Sequence, residues 1–547
     1  MTLTATDAII FFGFIAIVVA VSLFASRGER SSEDYFLAGR KLTWPLIGLS
    51  LIASNISTEH FVGMTGAAFG PQGLAVANWE WLAAVALVFV GWWLLPTFLK
   101  AGIYTMPQFL EHRFDVNART IMAIYMLIAY IVVLLAVVLF SGSIALDAIF
   151  GLDEQFAGWF GLSMEENAPW HQRADFWSTV AAIWAIGLVA GAYTAWGGLI
   201  AVVWSDLLQG AVLIIGGTIV TVLALNQLGD GSTLTGWNTL LERSQDQMHL
   251  LRPADDDALP WTTLIAGIWI PFLFYWGLNQ FITQRTLGAR SVAEGQRGVM
   301  FAALIKVWLP FVVVLPGVIA FHLVGDRVET ADEAYPLLLV EILPPWLRAV
   351  MLAAIAGAIM STFNSGLNSA STVFSIDIYK RWLKPDADDR SLVRVGRITT
   401  IVVIVLGCLW APVVGSFESV FAYIQEVWLY VSPAIVAVFL VGLIVPLAPP
   451  AAATTAMLLG PVLYGIARLG HHVVPAMEPF GDWHFLHHAT IVLALLIALM
   501  VGWTLIQRLP ERRVFPKTDI DTRTPVDVWI AGSIVIGLVG VLYLLFP

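Results

Sequence analysis

Few residues inside the long apolar runs of this sequence can ionise. They are Glu59 and His60 in LIASNISTEHFVGM, then Glu80, Asp206, Lys306, Asp377 and Glu426, with the amide Gln425 beside the last. An unpaired polar group in hydrocarbon costs several kcal/mol, so such residues face a cavity or one another and are functional candidates. A second kind of chemistry stands in AIAGAIMSTFNSGLNSAST, where hydroxyls and amides recur at Ser361, Thr362, Asn364, Ser365, Asn368, Ser369, Ser371 and Thr372. Hydroxyl and carbonyl oxygens can replace the hydration shell of a hard monovalent cation without a formal charge. Ser361 and Thr362, with backbone carbonyls freed where a neighbouring segment unwinds, are the candidate cation ligands. Small residues such as Gly357 and Ser361 also allow close helix approach, which accounts for part of the pattern.

The elements that must position these groups are membrane helices. With 59% hydrophobic and 12% charged residues over 547 positions, and a mean hydropathy of +0.81, the chain has too little polar surface for a soluble globule. It reads as an all-α integral membrane protein in a lipid bilayer. Apolar runs of membrane-crossing length number about fourteen, near 6–26, 44–67, 76–99, 119–149, 176–194, 200–225, 261–279, 298–324, 346–377, 393–413, 417–445, 451–470, 487–507 and 527–546. The first has Asp7 and no Lys or Arg before it, so it is expected to be a retained span and not a cleaved signal peptide. Alternate loops hold about 21 of the 28 basic residues, among them Arg30, Arg113, Arg119, Arg285 and Lys517. That bias predicts a multi-pass protein of the cell membrane with both termini outside. The net charge of −11 comes from acidic loops such as RPADDDA, and no basic stretch suggests nucleic acid. Cys408 is the single cysteine and reads as a core thiol. With no phosphate-binding loop, uphill movement of a solute would need a gradient.

The second and seventh runs are interrupted, one by Ser54, Asn55 and Ser57, the other by Pro271 and Gly277. Segments broken at corresponding places in two halves point to an inverted-repeat transporter with its site at the breaks. Pro and Gly are also simply common in membrane helices.

Five stretches, in this order, carry a resemblance: SSEDYFLAGRKLTWPLIGLSLIASNIS, KAGIYTMPQFLEHRF, WGGLIAVVWSDLLQG, FYWGLNQFITQRTLGARS and LNSASTVFSIDIYKRW. They resemble the sodium/solute symporter family, in particular its sugar-transporting branch of sodium/glucose cotransporters and bacterial sodium/galactose symporters. The resemblance implies a LeuT-like inverted repeat in one transporter domain over 1–547, with an extra helix at 6–26, repeats over 44–225 and 261–445, and three last helices over 451–546. It implies sodium on the carbonyls of Ala53, Ile56 and Ala358 and the hydroxyls of Ser361 and Thr362, with Asp206 on the sodium path. A charge at a helix end facing water is the plainer account of Asp206. It also implies a sugar or polyol held by His60, Glu80, Lys306 and Gln425, with Tyr275 and Trp276 as stacking rings. A carboxylate, an ammonium, an imidazole and an amide together suit hydroxyls that both donate and accept. Glu80 and Lys306 can neutralise one another, which suits a neutral ligand, and a purely structural ion pair is the alternative. Glu59 is expected to point away from this set.

Two departures bear on specificity: Phe272 stands where a bacterial galactose-type member would offer Asn, and Ala83 where it would offer Ser. Asn364 stands where two-sodium members carry a hydroxyl, which leaves the stoichiometry open. Other classes remain: a sodium symporter for a non-sugar solute, a channel or sensor, or a membrane metalloenzyme using His471, His472, His484, His487 and His488.

Overall fold

Lipid offers no partner for backbone N–H and C=O groups, so a chain this apolar must satisfy them within helices. The computed structural model describes residues 5–27, 31–165, 167–417, 420–481, 483–513 and 523–547; Arg30 and Lys517, counted above for orientation, lie outside them. The described chain is helical almost throughout. Its main helices are α1 (Ala5–Ala25), α2 (Trp44–Asn55), α3 (Thr65–Phe69), α4 (Asn78–Phe89), α5 (Val116–Ala129), α6 (Ala136–Phe150), α7 (Ala174–Leu228), α8 (Trp269–Phe272), α9 (Gln280–Leu287), α10 (Val292–Val313), α11 (Pro345–Val373), α12 (Asp389–Val414), α13 (Val420–Ile444), α14 (Pro450–Leu469), α15 (Phe485–Ile506) and α16 (Val526–Leu545).

Among the described residues, twelve helices are long and apolar enough to cross a membrane, against the fourteen runs expected. Two places make the difference. The runs at 176–194 and 200–225 are two helices joined end to end as α7 across the non-helical Gly198 (φ 51°, ψ −150°), where a Cβ would lie 2.4 Å from the Tyr35 carbonyl oxygen, so they count once among the twelve. Only glycine meets both demands. The run at 44–67 is not continuous: α2 stops at Asn55, Ile56 is extended (φ −72°, ψ 120°), and the chain resumes as a π-helical turn over Glu59–Met64 before α3.

The run at 261–279 is broken too. After α8 comes a π-helical turn, Leu273–Leu278, then extended Asn279 (φ −84°, ψ 124°), then α9. The two interrupted segments lie together. Leu42 N–H donates to the Gly288 carbonyl and Arg290 N–H to the Leu42 carbonyl, both at 3.1 Å, so the entrance to α2 meets the exit from α9. Halfway along, the Asn55 amide donates to the Tyr275 hydroxyl at 3.4 Å. The two therefore run in opposite directions.

Every residue of α11 from Met351 to Val373 is buried, and α11 packs on α7, α12 and α6. By contrast, α16 buries one stripe, Val528, Gly532, Val535, Val539 and Leu542, and leaves its other faces outward, as a helix at a lipid boundary does. Three arginines read as loop charges are in fact buried. Arg113 donates to the carbonyls of Gly442, Val445 and Ala448, at the end of α13. Arg119 pairs with Asp377 at 2.7 Å and Glu111 at 2.6 Å, and Arg285 is 1% exposed. Long guanidinium side chains reach inward to partners that a charge count along the sequence does not see.

Candidate cation and solute sites

The first site lies where α2 ends. A helix leaves its last carbonyls without intrahelical partners, and here the facing helix α11 meets them. The Ser361 hydroxyl is 3.1 Å from the Ala53 carbonyl oxygen, and the Thr362 hydroxyl is 3.0 Å from that of Ser54 and 3.5 Å from that of Ile56. Ala358, fully buried, sits one turn earlier on α11. The Ser361 hydroxyl also contacts Asp206 Oδ1 at 2.5 Å. A hydroxyl has one proton. The carboxylate takes it, leaving the Ser361 lone pairs facing the Ala53 carbonyl. Electron-rich oxygens that converge with few protons between them are the chemistry that a small cation takes.

Asp206 is not at a helix end. It lies within α7, fully buried, and its Oδ2 accepts from Ser50 at 2.5 Å, from Ser54 at 3.1 Å and from Arg285 at 3.1 Å. The reading of a water-facing terminal charge is overturned: no water-facing end exists at that point of the helix. Its partner Arg285 was missed by sequence reasoning. The available signal was physical, since a carboxylate within a membrane span needs a counter-cation.

The second site forms between the two π-helical turns. His60 Nε2 lies 3.4 Å from Glu80 Oε1, and Lys306 donates to Glu80 Oε2 at 2.5 Å. The Lys306 ammonium sits 4.7 Å from the centre of the Trp276 ring, a cation–π geometry. Tyr275, next to Trp276, accepts from Asn55, the last residue of α2. Gln425, on α13, donates to Glu59 Oε1 at 3.4 Å. All six expected solute residues thus join one connected set, and Glu59 and Asn55 must be added to it. The expectation that Glu59 points away fails because it assumed α-helical spacing. Both Glu59 and His60 lie in a π-helical turn that follows a break, where 100° per residue does not apply. Phe272 is buried and stacks edge-on against Trp79, with ring centres 5.9 Å apart, and Ala83 is buried. Those two positions present carbon to the interior.

The remaining charged residues are committed elsewhere. Asp377 accepts from Thr105 at 2.8 Å as well as Arg119, and Glu426 pairs with Arg468 at 2.7 Å. The histidines read above as a metal candidate go to separate partners. His484 bonds the Ala258 carbonyl, His487 the Thr262 hydroxyl and His488 the Phe480 carbonyl, while His471 and His472 stack on each other. Burial pushes the His484 imidazole down to about 4. Among the described residues, no group of three or more His, Cys, Asp or Glu is placed to hold a metal ion.

Comparison with known proteins identifies the fold and the family. The family model described as "Sodium:solute symporter family" matches residues 35–165 and 172–460. The chain is 39% identical over 463 residues to a sodium/glucose cotransporter of Vibrio parahaemolyticus, covering 80% of each protein. It is 35% identical over 502 residues to the uncharacterized symporter YidK of Escherichia coli, covering 90% of this chain and 83% of that protein. Among solved structures, a Na+-coupled sialic acid symporter in a substrate-bound outward-open state superposes with a TM-score of 0.75 at 20% identity, over 93% of this chain and 99% of that one. The fold is accordingly the LeuT-like inverted repeat. The chain belongs to the sodium:solute symporter family, and the ion it co-transports is sodium.

Proposed function

We propose that this protein imports a sugar or related polyol together with sodium by alternating access. Sodium binds between the carbonyls of Ala53, Ile56 and Ala358 and the hydroxyls of Ser361 and Thr362. The single observation that carries this assignment is the meeting of the Ser361 and Thr362 hydroxyls with the carbonyls left by the end of α2. Binding there ties α2 to α11. Asp206, through Ser361, keeps one ligand oxygen turned toward the ion and lies on its way out.

The solute binds in the adjoining set. Lys306 donates, Glu80 and Glu59 accept, and His60 and Gln425 do either, while Tyr275 and Trp276 cover it. A ring bearing several hydroxyls satisfies such mixed groups better than an anion, because Glu80 already neutralises Lys306. The similarity to a sodium/glucose cotransporter supports the same class. Carbon at Phe272 and Ala83 leaves fewer hydroxyls to be read, since each unmade buried bond costs about 1–3 kcal/mol. Residues 44–225 and 261–445 form the two inverted repeats, and both termini face outward. The moving parts are the broken helices, and coupling arises because each ligand binds better with the other present.

The test is uptake into proteoliposomes of labelled hexoses, inositol and proline, with an inward sodium gradient or with potassium in its place. Sodium-driven accumulation of a sugar or inositol is the expected result. Proline uptake, or indifference to sodium, would overturn the solute or the ion assignment respectively.

A further inference from the structure

Several arginines at the ends of these helices are spoken for: Arg40 pairs with Glu33, Arg297 with Asp527, Arg381 with Glu111 and Arg468 with Glu426. One group is not. Arg390, Arg394 and Arg397 open α12 at spacings of four and three, which puts them on one helix face. All three are exposed, and none pairs with a described carboxylate. The aspartates at the helix start are already engaged, Asp388 by the Ser391 N–H at 3.0 Å and Asp389 by the Ser32 hydroxyl at 2.7 Å. From Arg390 to Arg397 the helix climbs about 10 Å, so Arg394 and Arg397 stand closer to the apolar stretch than those acids do. Directly beyond them Ile398, Ile401 and Val405 are exposed on α12, as lipid-facing residues are. Positive charge therefore sits where a lipid-facing stripe ends, at the level of the headgroups.

The first half of α7 forms a second wall. It packs on α12 at Gly187 and Gly191, where an added Cβ would meet Cys408 and Ile404, and it shows Leu188, Ala192 and Trp196 outward. Trp196, 69% exposed, accepts at its carbonyl from Arg397 Nη2 at 3.3 Å, and its ring centre lies 5.2 Å from that guanidinium. At the neighbouring Gly197 a Cβ would lie 2.5 Å from Ser26 Oγ, so exposed Arg27 reaches the same place from the end of α1. Guanidinium groups of two helices thus meet an exposed indole at one end of an apolar seam.

We propose that the seam between α12 and the first half of α7 binds an anionic phospholipid, with its phosphate at Arg394 and Arg397, supported by Arg27, and its acyl chains along Ile401 and Leu188. A guanidinium grips phosphate oxygens with paired N–H groups. Arg394 has its whole fork free, and Arg397 keeps donors beyond the one given to Trp196. A zwitterionic headgroup would bring its own cation to three guanidinium groups, whereas a headgroup of net negative charge would not. The apolar walls select a lipid over a free phosphate, and basic pockets between membrane helices are suited to anionic headgroups.

The experiment is equilibrium binding of labelled dioleoylphosphatidylglycerol and dioleoylphosphatidylcholine, which share their chains, to the purified full-length protein in detergent, with size-exclusion profiles to confirm folding. Each arginine near such a headgroup is worth about 5-fold in affinity, so the unaltered protein should prefer phosphatidylglycerol by about 25-fold. Arg394→Gln should cut that preference about 5-fold, and Arg394→Gln with Arg397→Gln should bring it near equality. Arg508→Gln with Arg512→Gln, which removes as much exposed charge elsewhere, should leave it intact. Equal binding of the two lipids, a preference that survives the Arg394 and Arg397 changes, or an equal loss in the Arg508 and Arg512 variant would overturn the proposal. Glycerol 1-phosphate, the headgroup chemistry without chains, should not displace the lipid at matched concentration; displacement would show a phosphate site and defeat the lipid assignment. If the double change at Arg394 and Arg397 does not fold, Arg394→Gln decides, since that side chain bonds nothing in the protein: an undiminished preference there defeats the proposal.

Discussion

The two interrupted helices are built from the same parts in opposite chain order. In the first, an α-helix ends, an extended residue follows (Ile56), and a π-helical turn leads on. In the second, the π-helical turn comes first and the extended residue (Asn279) follows. Because the segments run antiparallel, the two π-helical turns share one half of the molecule and the two breaks face each other. The chemistry at the breaks nevertheless differs. Asn279 closes its own break: its side chain accepts from the Phe281 N–H at 3.1 Å and from the Tyr130 hydroxyl at 2.5 Å, while its carbonyl accepts from the Ile282 and Thr283 N–H groups. At the first break Ser57 does the same for the turn that follows, its side chain accepting from the Glu59 N–H at 3.2 Å and its carbonyl from the His60 N–H at 3.0 Å, but the carbonyls of Ala53, Ser54 and Ile56 look across at hydroxyls of α11. Inverted symmetry supplies two breaks, and at the first of them the carbonyls that end α2 meet hydroxyls of a neighbouring helix.

What joins the two π-helical turns is the run from His60 through Glu80 and Lys306 to Trp276. Cutting it should have the largest effect. Lys306→Ala leaves Glu80 as an unpaired buried charge, a loss of about 3–5 kcal/mol; thermal unfolding in detergent and uptake should both fall sharply. The double variant Lys306→Met with Glu80→Gln should recover stability without recovering uptake. If it recovers both, the pair is structural and the solute site lies elsewhere.

Next in size is the open break itself. Thr362→Ala removes a hydroxyl that we propose binds the ion, and a hydrogen bond or contact to a charged group contributes about 1.5–3 kcal/mol, so the sodium needed for half-maximal uptake should rise about 10- to 100-fold. An unchanged sodium activation curve would remove the difference drawn between the two breaks. The capped break should behave otherwise. Asn279→Ala withdraws a cap and leaves the Tyr130 hydroxyl proton without its acceptor, costing about 1–3 kcal/mol, which a lower melting temperature should register. The sodium curve should shift far less than in Thr362→Ala.

Much of this arrangement was legible beforehand because helix-weakening residues are local. Ser54, Asn55 and Ser57 marked one break, and Pro271 with Gly277 came within a few residues of the other. The hydroxyl density of α11 likewise singled out Ser361 and Thr362, which the structure sets against the carbonyls at the end of α2. What sequence could not give was whatever depends on partners far apart in the chain. Arg285 sits near residues that do belong to a loop, and only its pairing with Asp206, 79 positions away, separates a buried counter-ion from a surface charge. Glu59 was misplaced for a local reason of another kind: a π-helical turn changes the angle between neighbours, and EHFVGM carries no residue that announces one. The runs at 176–194 and 200–225, read as separate spans, meet at Gly198, whose positive φ breaks the helical path between them.

The smallest expected effect tests the link between the breaks directly. Asn55 to Tyr275 spans 3.4 Å, near the long limit for a hydrogen bond, so this contact contributes little. Tyr275→Phe keeps the ring that we propose covers the solute and removes only the hydroxyl. A neutral bond of this kind is worth about 0.5–1.5 kcal/mol, so the half-saturating solute concentration should change by about 10-fold at most, and stability should barely move. Tyr275→Ala removes the ring as well and should cost clearly more. If Tyr275→Phe and Tyr275→Ala were equally impaired, the hydroxyl would be the working part, and the two broken helices would be held together by that bond, with no contribution from the solute stacked between them.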